Sequence, residues 1–332
     1  MDRPGALAEL RAAVTRFAGE HTLRDSEWCV ALSGGPDSLA LAAAAAAVRP
    51  TTALIVDHQL QQDSAEVART ARAQALTVGC VAARILRVEV GAVGGPEAAA
   101  RSARYAALDE VRGGAAVLLA HTLDDQAETV LLGLGRGSGP RSIAGMRSYD
   151  PPWGRPLLGV RRAVTAAACA ELQLTPWSDP HNTDARFTRV RLRTEVLPLL
   201  EDVLGGGVAE ALARTADALR ADGEVLDVLA AQVLDRARRA DGLAVSELID
   251  VAPAVRRRVL RAWLLTGGAR GLTERHIRGV EALVSAWHGQ GGVAVPGSRP
   301  GHRLFARRGA GTLTLHIEPV RRTASAGPQL PG

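Results

Sequence analysis

Four short apolar runs alternate with helix-forming segments in the first 135 residues, and this order restricts the fold more than any other part of the sequence. The runs cover residues 28–32, 52–56, 83–90 and 115–120. The segments between them have helical periodicity, as in successive βαβ units. We therefore predict an α/β fold, with a doubly wound and mostly parallel sheet that carries helices on both faces.

The pattern changes after residue 150. A long, alanine-rich amphipathic pattern over residues 206–240 predicts a connecting helix. Two helical segments and three short strand-like runs follow, so we expect residues 241–320 to form a smaller, mainly helical domain with a few short strands. The α/β domain is then expected over residues 1–205, and residues 321–332 are expected to be a disordered tail.

The basic residues are unusual, because all 40 of them are arginine. The absence of lysine excludes a Walker-type P-loop and lysine-nucleophile chemistry. Residues 1–150 contain 15 Arg against 17 Asp and Glu, whereas residues 151–332 contain 25 Arg against 18. The second half is therefore the better candidate for binding a polyanion, although a GC-rich genome also favours arginine.

The cysteines and the apolar runs indicate where in the cell the protein is expected. Cys29, Cys80 and Cys169 are far apart and odd in number, which favours a reduced, cytoplasmic protein without a disulfide framework. The longest apolar run, residues 39–48, is half of the ~20 residues that a membrane-spanning helix needs. We therefore expect no contact with a membrane.

A glycine-rich turn lies between the first predicted strand and the helix that follows it. Its residues are Ser33, Gly34, Gly35, Pro36, Asp37 and Ser38. A turn of this kind directs backbone N–H groups and the positive end of a helix dipole toward an anion, usually phosphate. The glycines allow close approach, and Asp37 is a candidate ligand for Mg²⁺ on the bound phosphates. An ordinary capped turn is the alternative interpretation.

A second polar group follows the fourth predicted strand. His121, Asp124, Asp125 and Glu128 lie at the end of this strand and in the first turns of the next helix. In an open parallel sheet this edge faces the same crevice as the glycine-rich turn. Asp125 and Glu128 share one helical face and could bind a metal or a cationic amine. The alternative is that Asp124 and Asp125 only cap the helix.

Further candidates lie elsewhere in the first domain. Asp57 and His58 end the second predicted strand, where His58 is either a ligand contact or a plain strand-end histidine. Arg101 and Arg104 share one helix, and they are either ligand contacts or part of a solvated basic face. Arg136 lies in a glycine-containing loop that could close over phosphates.

Two dense arginine runs are candidates for contact with RNA. In the first, a helix would place Arg186, Arg189 and Arg193 on one side, which suits an RNA backbone or an activated phosphate. The second comprises residues 256–258, all arginine, in the smaller domain. This run either extends an RNA-binding surface or forms an exposed face that aids solubility.

These motifs support a family resemblance. The turn at residues 33–38 resembles the PP-loop of the N-type ATP pyrophosphatases, which cleave ATP to AMP and pyrophosphate. Within that superfamily, residues 28–200 resemble the tRNA(Ile)-lysidine synthetase family. The other matching motifs, in chain order, are Val-Asp-His at 56–58, Glu-Ala-Ala-Ala-Arg-Ser-Ala-Arg-Tyr at 97–105, His-Thr-Leu-Asp-Asp-Gln-Ala-Glu-Thr at 121–129, Arg-Gly-Ser-Gly at 136–139, Arg-Pro-Leu-Leu at 155–158, Asp-Pro-His-Asn at 179–182 and Arg-Val-Arg-Leu-Arg at 189–193.

Two parts of the chain match this family less well. Gln61 stands where the family often has Arg, so the resemblance implies no arginine contact to phosphate at this position. The last 120 or so residues match only in general layout.

The resemblance implies a PP-loop catalytic domain and an ATP-dependent ligase. Members of this family join L-lysine to C2 of the wobble cytidine of tRNA(Ile) with a CAU anticodon, through an adenylated cytidine. ATP and Mg²⁺ are the implied cofactors, and the sequence leaves open whether the protein forms a homodimer.

The resemblance also implies roles for individual residues. It makes Asp37, Asp125, Arg189 and Arg193 catalytic, with Asp37 on Mg²⁺. Residues expected to bind ATP are Ser33, Gly34, Gly35, Pro36, Asp37, Ser38, Asp57, His58, His121 and Arg136. Those expected to bind the other substrates are Arg101, Arg104, Asp124, Glu128, Asp179 and Asn182.

Two other activities of the superfamily are alternatives. A tRNA thiolase would need catalytic cysteines or a cysteine-ligated iron–sulfur cluster, and the sequence has no Cys-x-x-Cys pair. An ammonia-dependent synthetase would need no RNA, so the basic second half would have no role.

Overall fold

The computed structural model describes residues 5–21, 23, 27–59, 63–89, 91, 95–137, 139–179, 184–297 and 302–319. The predicted site residue Asn182 and the predicted disordered tail lie outside these residues. The chain forms two compact units, one comprising Met1–Gly135 and Ile143–Asp217 and the other comprising Arg136–Ser142 and Ala218–Gly332. The division falls within a long helix, 12 residues beyond the boundary expected at residue 205.

The first unit contains a six-stranded sheet in the order β3-β2-β1-β4-β6-β5. Its pairs are parallel except β5 with β6. Both neighbours of β1 run parallel to it on opposite sides, which creates a crevice at the carboxyl ends of β1 and β4. The strands are β1 (Trp28–Ala31), β2 (Thr51–Asp57), β3 (Ala82–Arg87), β4 (Val117–Leu118), β5 (Tyr149–Asp150) and β6 (Trp153–Gly154).

Helices cover this sheet, and the predicted α/β class is confirmed. The helices of the first unit are α1 (Ala6–Glu20), α2 (Pro36–Ala46), α3 (Ser64–Thr77), α4 (Pro96–Val111), α5 (Leu123–Gly135), α7 (Arg162–Glu171), α8 (Thr188–Arg191) and α9 (Leu197–Val203). The short α6 (Pro140–Ile143) and the 30-residue α10 (Val208–Ala237) each include residues of both units.

Helix α2 lies at the centre of the main core. Pro36 begins it, where a missing N–H costs no hydrogen bond, and alanines with high helix propensity continue it. The eight side chains from Ser38 to Ala45 are all buried, and α2 packs against both α1 and α7. Because α2 begins directly after the glycine-rich turn, this packing fixes the position of the turn.

The second unit has a core of its own around a four-stranded antiparallel sheet in the order β7-β10-β9-β8. Leu248, Leu260, Leu264 and Leu283 are fully buried in this core. The elements are β7 (Gly242–Ala244), a 3₁₀ turn (Val245–Glu247), α11 (Pro253–Thr266), α12 (Glu274–Ser285), β8 (Val293–Val295), β9 (His302–Gly309) and β10 (Thr312–Pro319).

Two details differ from the sequence-based expectation. The Pro/Trp-rich stretch over residues 151–156 reads as a loop in the sequence, but its Trp153 and Gly154 form β6. This strand extends the main sheet beside β4 and pairs antiparallel with β5, which lies directly before the stretch. The sequence over residues 189–200 indicates a helix that is broken near Pro198, but in the structure the helix widens earlier, into a π-helical turn over Leu192–Val196. Pro198 then lies in the first turn of α9, where proline is tolerated.

Candidate functional site

A cavity of about 670 Å³ lies at the carboxyl ends of β1, β2 and β4. The residues directly after these strands line it, together with the first residues of α2 and the first residue of α7. It therefore occupies the crevice that the strand order creates. The predicted site residues that line it are Ser33, Gly35, Pro36, Asp37, Ser38, Asp57, His58, Arg104, His121, Asp125, Asp179 and Arg193.

The glycine-rich turn is held by its own serines. The Ser38 hydroxyl accepts a hydrogen bond from the Ser33 N–H (3.2 Å), donates to the carbonyl of Gly35 (3.0 Å) and lies 3.1 Å from the Ser33 hydroxyl. Gly34 has a φ of +84°, which residues with a side chain rarely adopt. The Trp177 N–H donates to the Gly34 carbonyl (2.9 Å) and so fixes the turn from outside.

Asp125 both caps helix α5 and lines the cavity. Its Oδ2 accepts the N–H (2.8 Å) and the hydroxyl (2.9 Å) of Thr122, the residue before the helix. Its Oδ1 lies 2.5 Å from Nη2 of Arg162. Burial raises the pKa of Asp125, but Arg162 and the Thr122 hydrogen bonds outweigh it, so the pKa is lowered. The capping and the ligand-binding interpretations therefore do not exclude each other.

Glu128 is fully buried and is surrounded by arginines. Arg193 donates to both of its oxygens (Nε–Oε1 2.8 Å and Nη2–Oε2 3.3 Å), and Arg162 and Arg189 approach to 3.5 and 3.7 Å. A buried carboxylate is stable only when it is paired, so these contacts explain its burial. Glu128 does not itself line the cavity.

Asp37 and Asp124 are linked to the start of α7. Asp37 accepts the Thr165 hydroxyl and lies 3.3 Å from Nε of Arg162. Burial raises the pKa of Asp37 despite these partners. Asp124 accepts the backbone N–H of Arg162 (2.7 Å) and pairs with Arg161 (3.2 Å), and it does not line the cavity.

Two neutral histidines face the same space. Burial, with a contribution from Arg104, lowers the pKa of His58. Burial lowers the pKa of His121 to about 4, with Asp125 opposing and Arg155 assisting the shift. Within the described residues, Nδ1 of each ring is buried and has no hydrogen-bond partner. Neutral rings of this kind can donate to or accept from a ligand without repelling a cation.

The remaining predicted residues have different environments. Asp57 is buried and accepts the Gln59 N–H (3.0 Å). Burial lowers the pKa of Arg104, which lines the cavity. Arg101 is exposed and does not line the cavity, but it donates to the hydroxyl of Tyr105 (3.3 Å), which does. Arg136 belongs to the second unit.

The two arginine runs are only partly as expected. Arg189 and Arg193 share the face that meets Glu128, but Arg186 binds Asp184 instead. Arg256 is buried, with 7% of its surface exposed, and donates to the carbonyls of Leu248, Ile249 and Val251 and to Glu281. Both interpretations of residues 256–258 as an exposed basic run are therefore wrong for Arg256.

Sequence reasoning missed Arg162, Thr165 and Trp177. Arg162 and Trp177 line the cavity, and Thr165 binds Asp37. Arg162 and Thr165 are one turn apart at the start of α7. The Arg-Pro-Leu-Leu motif at residues 155–158 could have indicated these residues. It lies just before α7, so the first side chains of that helix are expected near the same site.

Comparisons with known proteins agree with this architecture. A model of the PP-loop domain matches residues 8–200, and a model of the TilS substrate binding domain matches residues 243–314. The fold and the glycine-rich turn thus define a PP-loop protein.

Similar full-length proteins show to which family of PP-loop proteins the chain belongs. The tRNA(Ile)-lysidine synthase of Mycolicibacterium paratuberculosis is 68% identical over 321 residues, which cover 97% of this chain and all of that protein. That of Mycobacterium tuberculosis is also 68% identical, over 96% of this chain and all of that protein. The chain belongs to the tRNA(Ile)-lysidine synthase family. The resemblance expected from the motifs is thereby confirmed, and with it the prediction of an ATP-using ligase.

The fold is shared more widely. The U34-tRNA thiolase NcsA from Methanococcus maripaludis has a TM-score of 0.53 at 17% identity, over 64% of this chain and 79% of that one. This likeness concerns the fold alone. The three cysteines of this chain are all buried and free. In the part of the chain that the structure describes, no helix is long and apolar enough to cross a membrane.

Proposed function

We propose that the protein joins L-lysine to C2 of the wobble cytidine of a tRNA(Ile) with a CAU anticodon, in the cytoplasm. The family supports this reaction, and one observation supports its location in the cavity. The glycine-rich turn, two neutral histidines and the carboxylates of Asp37 and Asp125 face one space at the edge of the sheet. That space offers donors for phosphate beside acceptors for a cation.

In the first step, the cytosine O2 attacks the α-phosphorus of ATP, and the bond to pyrophosphate breaks. The turn at residues 33–38 would bind the departing pyrophosphate through backbone N–H groups and the Ser33 hydroxyl. Arg193 and Arg104, which line the cavity, would neutralise charge on the phosphates. The enzyme contributes mainly by positioning and by charge stabilisation.

In the second step, the ε-amine of lysine attacks C2 of the adenylated base, and the bond from C2 to the AMP oxygen breaks. The amine must lose protons before and after this attack. Asp125 is our candidate for binding and orienting the amine in this step, after pyrophosphate and its metal have left, because Asp125 lines the cavity and its Oδ1 is not used in the helix cap. Glu128 would act indirectly, by holding Arg193.

Mg²⁺ fits the donor set at Asp37. No group of three metal-binding side chains occurs in the described ranges. One or two carboxylates are nonetheless enough when substrate phosphates complete the coordination, which is the usual mode for this ion. Asp37 and Asp125 both contact one Arg162 guanidinium and are therefore close enough to share a cation. When bound, the ion would neutralise charge on the phosphates.

Incubation with labelled L-lysine, ATP and bulk tRNA tests the proposal. We expect label to enter RNA only when ATP is present, and only in tRNA with a CAU anticodon. Incorporation of sulfur from a donor instead of lysine would select the thiolase alternative. ATP consumption with ammonia and without RNA would select the ammonia-dependent synthetase.

A further inference from the structure

We propose that the Arg162 guanidinium occupies the divalent-cation position beside Asp37 and Asp125 until a nucleotide arrives. Arg162 would then be a positioning residue that makes metal binding depend on ATP. The inference rests on the proposed function, because it concerns the metal expected at Asp37.

The contacts of Arg162 resemble those of a cation shared among carboxylates. Each of its three guanidinium nitrogens faces a different one: Nε lies 3.3 Å from Asp37, Nη2 lies 2.5 Å from Asp125 and Nη1 lies 3.5 Å from Glu128. These acids come from two helices, α2 and α5. Burial alone would lower the pKa of Arg162, but the surrounding carboxylates raise it, so the group is strongly held as a cation.

The backbone of Arg162 is fixed while its side chain faces the cavity. Its N–H donates to Asp124 (2.7 Å), and α7, which it begins, packs on α1 and α2 in the main core. The side chain lines the cavity together with the glycine-rich turn. A rotation of this side chain toward bound phosphates therefore requires no movement of the helix.

Charge balance opposes a divalent cation in the free protein. The carboxylates of Asp37, Asp125 and Glu128 are matched by three guanidinium groups, those of Arg162, Arg189 and Arg193. Addition of a divalent ion to this balanced cluster would leave two uncompensated positive charges in a poorly solvated space. One of the arginines must therefore leave the carboxylates before the metal can bind them.

The nucleotide provides the alternative partner. Its phosphates at the glycine-rich turn carry several negative charges, and arginine binds phosphate oxygens with charge-assisted hydrogen bonds. Arg162 is best placed to move, because it is the guanidinium that contacts Asp37, at the first turn of α2. Arg162 would thus bind the phosphates while the metal binds the carboxylates, so the charges in the site would remain balanced.

The test measures Mn²⁺ binding by the loss of the free-ion EPR signal, because Mn²⁺ accepts the same oxygen ligands as Mg²⁺. Without nucleotide, we expect Arg162→Gln to bind Mn²⁺ about tenfold or more tightly than the wild type, since one nearby positive charge is removed. With a non-hydrolysable ATP analogue, the wild type should gain affinity and the difference between the two proteins should shrink. Unchanged or weaker Mn²⁺ binding by Arg162→Gln without nucleotide would overturn the proposal.

Three further variants make this result specific. Arg162→Lys keeps the charge and should bind Mn²⁺ as weakly as the wild type, so binding as tight as in Arg162→Gln would refute the charge argument. Arg161→Gln, which removes the adjacent charge from Asp124, Glu201 and Glu210, should change the affinity less than about twofold. Adding Asp37→Asn to Arg162→Gln should remove the gained site, and persistence of that site would place it elsewhere. Incorporation of labelled lysine by the wild type tests the proposed function independently of all these outcomes.

Discussion

At the scale of single residues, the site depends on side chains that do two things at once. One oxygen of Asp125 completes the helix cap with Thr122, and the other faces Arg162. The sequence predicted each role separately, because both the cap motif and the position at a strand end are local features. It could not show Arg162, which lies 37 residues away from Asp125 and meets it only through the packing of α7.

Replacement of Asp37 tests the proposed binding of phosphate and metal beside the glycine-rich turn. We expect Asp37→Asn to reduce tRNA-dependent ATP–pyrophosphate exchange, measured without lysine, by about 100-fold or more, because a neutral amide is a poor metal ligand. Thr165→Val removes only the hydroxyl that donates to Asp37 and should cost less. Wild-type exchange in Asp37→Asn would exclude a role for this carboxylate in the first step.

The buried His121 predicts a pH dependence of stability. Its pKa is about 4 in the folded protein and near 6.5 when unfolded, so between these values the unfolded chain binds a proton that the folded protein does not. Acidification from pH 6.5 to 4 should therefore destabilise the fold, by an amount of the order of 2 kcal/mol for this group.

Thermal unfolding across this pH range measures the effect. His121→Gln should lose less stability on acidification than the wild type. Asp37 contributes in the opposite direction, since its raised pKa favours the folded state at low pH, but it is present in both proteins. Parallel curves for the two proteins would show that His121 is not held neutral.

At the scale of elements, α11 shows how a basic run can be structural. Arg256 points into the core of the second unit and binds the last carbonyls of the segment before the helix, whereas Arg257 and Arg258 pair with acids near the surface. Three consecutive helix positions point in three directions about 100° apart, so the run cannot form one face. The sequence reveals this only once the apolar side of α11 is known.

Arg256→Gln should therefore weaken the second unit. Removal of one partner from a buried, hydrogen-bonded ion pair typically costs ~3–5 kcal/mol, and Glu281 would lose its nearest charge partner. Hydrogen–deuterium exchange of α11 and α12 would measure this loss for the two helices directly. The control variant Arg278→Gln on α12, whose ion pair with Glu274 is exposed, should cost less than about 1 kcal/mol. Equal exchange rates in the two variants would contradict the structural role.

Most elements of the main sheet could be predicted, because apolar runs and helical periodicity are local and strong. The antiparallel pair β5–β6 could not, since each strand has two residues and depends on neighbours for pairing. The π-helical turn before α9 could not be predicted either, because its wider turn depends on packing and on Pro198.

Of the candidate site residues, those next to strand ends reached the cavity. Arg101 did not, since its side chain is exposed, although it donates to the hydroxyl of Tyr105, which does line the cavity.

At the scale of the whole molecule, the excess of arginine in the second half of the chain predicts that this half contacts RNA. The second half carries the excess of arginine, but many of these side chains pair with acids. Arg275 and Arg303 are exposed, and within the described residues the side chain of neither makes a hydrogen bond or an ion pair. Unpaired arginines of this kind are the better candidates for phosphate contacts, because they need not leave an acid first.

The salt dependence of tRNA binding tests this choice. Replacement of both Arg275 and Arg303 by Gln should weaken binding and lower the slope of log K against log salt by about 1–2, as expected when one or two phosphate contacts are lost. Arg278→Gln, which removes an arginine already paired with Glu274, should change the slope less. An unchanged slope in the double variant would place the RNA contacts elsewhere.

The alanine-rich helix α2 has a consequence for variation in this protein. Its methyl groups from Ala42 to Ala45 are at most 4% exposed and set the distance between the helix and its neighbours. A larger side chain there would have no empty space to enter, so the helix would shift and carry the glycine-rich turn with it. Conditional alleles, active at one temperature and inactive at another, should therefore be found by mutating these alanines, which touch no substrate and would be overlooked in a search for active-site positions.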